Sequence, residues 1–193
     1  KGRHTVRRIY TVTLEERATC PKSCVHWYDC YGNTMPFAHR LQYDSHLIKR
    51  MDKELAYLNT KPYGILIRLH VLGDFPDIKY VEQWVKWLDK YPNIACYGYT
   101  AHSPKESIGD RIAQMNRDNW DRWSVRFSNY PRYKLSANSD KISKNGIICP
   151  EQAGQTSSCG SCGLCWNKTA KPILFMTHSY DLRKGKSNAN SKQ

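Results

Sequence analysis

The chain has 193 residues, 40% hydrophobic and 12% aromatic, enough for one globular domain with a real core, so it is not a small scaffold that depends on disulfide staples. Its 30 Lys and Arg against 17 Asp and Glu give a charge of +13 at pH 7, a balance that favours nucleic acid, DNA or RNA, over acidic proteins or neutral metabolites. No stretch approaches the roughly 18 apolar residues of a membrane span and "KGRHTVRRIY" has no apolar signal run, so a soluble, cytoplasmic protein without a membrane partner is expected.

The elements follow in order. "RRIYTVTL" has the β-branched and aromatic character of a strand and leads straight into a cysteine loop. Asp44 or Ser45 can cap a helix whose Leu47, Ile48, Met51, Leu55 and Leu58 fall on one face and which ends before Pro62. "YGILIRLHVLGDFP" predicts a buried strand closing in a Gly-Asp turn, and Val81, Trp84, Val85 and Leu88 mark the next helix. "IACYGYTAHSP" supplies a further strand, Ile108, Ile112 and Met115 a further helix, and "RWSVRFSNYP" another strand. The polar stretch 135–146 reads as a surface loop, and "KPILFMTHS" as a short last strand. Alternating strands and helices predict an α/β fold with a mainly parallel sheet, open or curled into a partial (β/α) barrel. The expected division is an α/β core over 1–146, a four-cysteine loop with the last strand over 147–181, and a disordered basic tail over 182–193.

Eight cysteines in an intracellular-looking chain argue for metal rather than disulfides. Cys149, Cys159, Cys162 and Cys165 have the spacing C-x9-C-x2-C-x2-C, with Gly160 and Gly163 to let the backbone wrap. Four thiolates suit a zinc ion or a [4Fe–4S] cluster, and three cysteines run together at C-x2-C-x2-C favour the cluster, because zinc loops usually offer two separated C-x2-C pairs. Cys20, Cys24 and Cys30 form a second group with three members, which would leave one iron of a second [4Fe–4S] cluster open unless His26 closes it. Cys96, in an apolar run, reads as a core thiol.

The succession of strand, "CPKSCVHWYDCYG", helix, strand ending "LGDFP", helix, "IACYGYT", helix and "SVRFSN" resembles the radical SAM superfamily. The resemblance implies a cluster on the first loop and S-adenosylmethionine against the strand ends. Gly73, Asp74 and Pro76 would take the place of the family's Gly-Glu-Pro motif, Asp74 would receive the methionine amino group, and Thr100, His102 and Ser128 would line the pocket. Asp74 and His102 are then the catalytic candidates. The late loop resembles the auxiliary-cluster appendages of some members. Over most of residues 9 to 178 the chain is also similar to a poorly characterised group of phage- and plasmid-borne proteins, which share the C-P-x-x-C start, a strand ending Gly-Asp-Phe, a Tyr-Thr strand end and C-x2-C-x2-C-Trp.

His70, His102, His178 and Asp74 lie at or near strand ends, where α/β folds collect ligands, so a metal-dependent nuclease is a rival reading; packed histidines are the plain one. Arg7, Arg8, Arg132, Tyr133, Lys134 and Lys184 are candidate nucleic-acid contacts, "NYPRYK" because Pro131 marks an exposed turn. Trp27 and Trp166 are expected to shield clusters. Three functions stay open: a radical-SAM-like iron–sulfur enzyme acting on nucleic acid, a non-enzymatic iron–sulfur or zinc protein that binds DNA or RNA, and the nuclease.

Overall fold

In the computed structural model, which describes residues 7–133, 135–140, 142–176, 180–181 and 186–187, the strands alternate with helices as their patterning requires. Helix α1 (Ser45–Asn59) starts where Asp44 accepts a hydrogen bond from the Leu47 amide at 2.6 Å, and buries Leu47, Met51, Leu55 and Leu58. Helix α2 (Ile78–Lys90) starts in the same way, Asp77 accepting from the Tyr80 amide, and buries Tyr80, Val81, Trp84, Trp87 and Leu88. Helix α3 (Ser107–Asp118) buries Ile112, Ala113 and Met115.

Between them run β1 (Arg8–Thr11), β2 (Ile65–Leu69), β3 (Ile94–Thr100) and β4 (Trp123–Ser128). The sheet then continues through β5 (Ser136–Ser139), β6 (Ile147–Ile148) and β7 (Ile173–Phe175) in the spatial order β1-β2-β3-β4-β5-β7-β6. Every neighbour pair is parallel, and the sheet curls into a half-barrel. A parallel sheet needs both faces covered. Ile65, Ile67, Leu69, Ile94, Cys96, Trp123, Val125 and Phe127 pack into the main core with α1 to α3. The alternate residues Leu66, Ala95 and Tyr97 form a smaller core with Trp166 on the opposite, inner face. The late cysteine loop, including the four-residue turn α4 (Cys159–Cys162), therefore does on the inner face what the helices do outside.

The stretch read as a polar loop is corrected in part. Ser136 to Ser139 form β5, with Ser136 and Asn138 fully buried; Asn138 donates to Ser136 Oγ, and the Ser139 amide to Asn129 Oδ1, while the buried Asn138 Oδ1 has no donor among the described residues. Beyond the sheet, β8 (Tyr180–Asp181) pairs antiparallel with β9 (Lys186–Ser187); the rest of the expected tail lies outside the described residues. Among the described residues no helix is long and apolar enough to cross a membrane.

Candidate metal centres at the strand ends and inner face

The segment from Thr19 to Arg40 leaves the sheet after β1 and is held in shape by one ion pair. Arg40 donates to both carboxylate oxygens of Glu16, at 2.6 and 2.8 Å, and to the carbonyls of Gly32, Met35 and Ala38. That bond holds the Glu16 carboxyl below its ordinary range. Inside the loop, Cys20, Cys24 and Cys30 lie within electrostatic reach of one another. Burial, with Asp74 and the other two thiols adding to it, pushes the Cys20 thiol up to about 12, and burial raises Cys24 as well. Both shifts favour the neutral thiol of Cys20 and Cys24. His26 lends its backbone to a hydrogen bond with the Cys24 thiol, while both of its ring nitrogens are engaged elsewhere, Nδ1 by Asp29 at 3.2 Å and Nε2 by the Asn129 side-chain amide at 3.2 Å. Asn129 adopts φ +58° at the end of β4 and thereby ties the loop to the sheet.

The "LGDFP" turn is a clamp between strands β2 and β3. Asp74, 3% exposed, accepts from the Phe75 amide at 2.8 Å, Thr100 Oγ1 at 2.8 Å and the Ala101 amide at 2.7 Å. Burial raises its pKa, while the nearby His102 and these donors pull the other way. Gly73, at φ +81°, brings the chain so close to Leu14 and Thr19 that a Cβ would lie 2.6 Å from Thr19 Oγ1. His102 Nε2 donates to the Phe75 carbonyl at 2.8 Å and Nδ1 faces Glu106 at 3.7 Å. Asp74, Thr100 and His102 thus converge, but on one another. Strand alternation sends Thr100 to the helix side of the sheet and Ser128, in step with Arg126, to the inner side, so they do not line one pocket. His70, at φ +54°, is a core residue whose Nε2 meets the Tyr80 hydroxyl at 3.3 Å. Burial pushes its pKa down to about 3. His178 lies outside the described residues.

The late cysteines are neighbours in part. Cys149 and Cys162 lie within electrostatic reach of Cys159, and Cys149 and Cys159 within reach of Cys165. Burial pushes Cys165 up to about 11 against a hydrogen bond from Tyr99, whose hydroxyl stands 2.8 Å from Sγ. Arg126, on β4 and fully buried, grips the loop: its guanidinium donates to the carbonyls of Leu164, Cys165 and Asn167 and to Thr169 Oγ1. The Trp166 ring lies on Tyr97, with centroids 4.8 Å apart. Arg68, on β2, has Tyr97, Tyr99, Tyr31 and Cys159 within electrostatic reach, and its buried Nε has no hydrogen-bond acceptor among the described residues. Nor does either arginine have a carboxylate partner there. Among the described residues, no three His, Cys, Asp or Glu side chains close round one point as the ligands of a single metal ion do.

Among the described residues, the candidate nucleic-acid contacts lie at both ends of the sheet. Arg7 and Arg8 stand at the amino end of β1, whereas Arg132 follows the carboxyl end of β4. The Tyr133 ring packs edge-on against Phe127 at 4.9 Å. Lys134 and Lys184 lie outside the described residues. Sequence reasoning missed Arg68, Arg126, Tyr99 and Asn129. The readable signal was an arginine at alternating register within two apolar strands, "ILIRL" and "WSVRFS".

A family model described as Gene product 88 matches residues 4–119, a stretch that holds Cys20, Cys24, Cys30, Asp74 and His102 and stops before the late loop. That description fits the phage-borne group whose motifs the sequence resembles. No curated protein and no solved structure matches the chain.

Proposed function

We propose, for a chain that belongs to the Gene product 88 family, that it is an iron–sulfur protein built on a radical-SAM-like half-barrel, with one [4Fe–4S] centre on Cys149, Cys159, Cys162 and Cys165 and a second on Cys20, Cys24 and Cys30, and that it binds nucleic acid. The observation that carries this reading is the pair of inner-face arginines. Arg126 is fully buried and the Nε of Arg68 is buried without an acceptor, with no carboxylate for either among the described residues. A buried charge is costly unless it is paired. Protonated thiols do not pair with it, whereas thiolates round a cluster would bring net negative charge to Cys159, within electrostatic reach of Arg68, and to Cys165, within reach of Arg126. Four thiolates on zinc would do the same, and the run C-x2-C-x2-C is what favours the cluster.

Such a centre, when bound, supplies electron transfer and, where only three thiolates hold it, an iron open to an outside ligand. The chain's residues set its surroundings. Tyr99 donates to the Cys165 sulfur, Trp166 and Tyr97 exclude water, and Asp74 places a carboxyl near Cys20 and Cys24. Asp74 and Thr100, both buried, bond to each other and to backbone amides, which does not fit the role of receiving the amino group of S-adenosylmethionine, so that cofactor has no part in this reading. The charge of +13 is the reason for a nucleic-acid partner.

Purification without oxygen, followed by iron and acid-labile sulfide analysis, tests the reading. A brown protein with iron and sulfide in equal amounts is expected, and zinc without sulfide overturns it. Binding to DNA or RNA is expected to weaken steeply as salt rises, because each neutralised phosphate releases counterions. No binding at low salt would remove the nucleic-acid half.

A further inference from the structure

The first cysteine loop carries apolar surface that folding does not use. Tyr28 is 91% exposed, Val25 62% and Phe37 99%, although the same chain fully buries rings such as Trp84 and Tyr80. Val25 and Tyr28 line one cavity, and apolar side chains left in water side by side mark a place where something docks. Tyr28, Trp27, Val25 and Lys22 line a cavity of about 370 Å³ open to solvent, and Cys24 forms part of its wall. That volume falls within the range of small-molecule sites.

We propose that this cavity seats an unpaired nucleobase of a single strand, stacked on Tyr28 and Trp27, with Lys22 against its phosphate. The inference rests on the nucleic-acid reading above and gives that partner a place and a form. Charge selects the occupant. The cavity carries a lysine on a chain of net charge +13, so a strand of phosphates is drawn to it where an acidic or neutral metabolite is not favoured. Chemistry selects the form, because an exposed ring needs a free π-face, and in a duplex the base faces are already stacked. The ring is also placed for use: a base held there lies beside Cys24, one of the three ligands of the proposed open centre. The Tyr and Arg of "NYPRYK" offer less, since Tyr133 spends its ring on Phe127.

The test uses the full chain, purified without oxygen, at low salt, with labelled oligo(dT) and oligo(U) of about 12 nucleotides and a DNA duplex of matching length. Fluorescence anisotropy gives the affinities. Tyr28→Ala is expected to weaken single-strand binding about tenfold and leave duplex binding unchanged, while Tyr28→Phe, which keeps the ring, binds like the parent. Because Tyr28 is exposed, neither change threatens the fold. Comparison of oligo(dT) with oligo(U) says whether the strand is DNA or RNA. If the parent binds neither strand nor duplex, the nucleic-acid reading falls and this inference with it. If the parent binds both and Tyr28→Ala binds the strand as tightly as the parent, or loses strand and duplex equally, the base-stacking site alone is overturned.

Discussion

Tyr99 reaches across the inner face of the sheet and its hydroxyl donates to the sulfur of Cys165 at 2.8 Å. A hydrogen bond to a cluster thiolate favours the more negative, reduced state. Tyr99→Phe keeps the ring and removes the donor. The variant should retain its late-loop metal, lose about 1 kcal/mol of stability and show a lower reduction potential in an EPR-monitored redox titration.

Arg126 holds the late loop through four acceptors, three of them backbone carbonyls. Arg126→Met has a similar length and no donors, so it leaves those carbonyls unpaired beneath the sheet. A loss of about 3 kcal/mol in urea unfolding is expected, together with loss of iron from the late loop but not from the first.

Asp74 is the acceptor that joins the end of β2 to the end of β3. Asp74→Ala orphans the Phe75 and Ala101 amides and the Thr100 hydroxyl, at an expected cost of about 3 kcal/mol. Thr100→Val should cost about 1 kcal/mol, and the double variant less than the sum, because the two share one bond. A double-mutant cycle measured by urea unfolding checks this, and strict additivity would separate the pair.

His70 makes stability depend on pH. Burial lowers its folded pKa from 6.5 to about 3, so between those values the unfolded chain takes up a proton that the folded chain refuses. Its contribution is complete above about 6.5 and is lost as pH falls, with a limiting slope of about 1.4 kcal/mol per pH unit, until about 3. His70→Asn, which tolerates the left-handed backbone at φ +54°, should flatten that part of the curve. Thermal unfolding between pH 4 and 7 measures the difference.

The helices were legible from apolar spacing, joined at α1 by a cap: Asp44 with Leu47, Met51 and Leu55 there, and Val81, Trp84 and Leu88 at α2. The strands β2 to β4 were legible as apolar runs. β5 was not, because Ser136 and Asn138 are polar residues that the fold buries fully, which no hydropathy pattern records. The cysteine spacings announced two loops, and within each loop some of the thiols lie within electrostatic reach of one another. What spacing could not convey is how the loops sit on the sheet, since that depends on Arg126, Tyr99 and Asn129, each far away in sequence from the residue it holds. The bonds that Asp74 makes were illegible for a related reason: its partners Thr100 and Ala101 come from the end of the next strand.

Native mass spectrometry of the anaerobically purified full chain, alongside Cys24→Ser and Cys162→Ser, addresses the central claim most directly, because it counts the metal centres and assigns each to a loop. The account predicts a mass increment of two [4Fe–4S] clusters on the parent and of one on each variant. A parent that carries only zinc, or no inorganic sulfide on either loop, would contradict it.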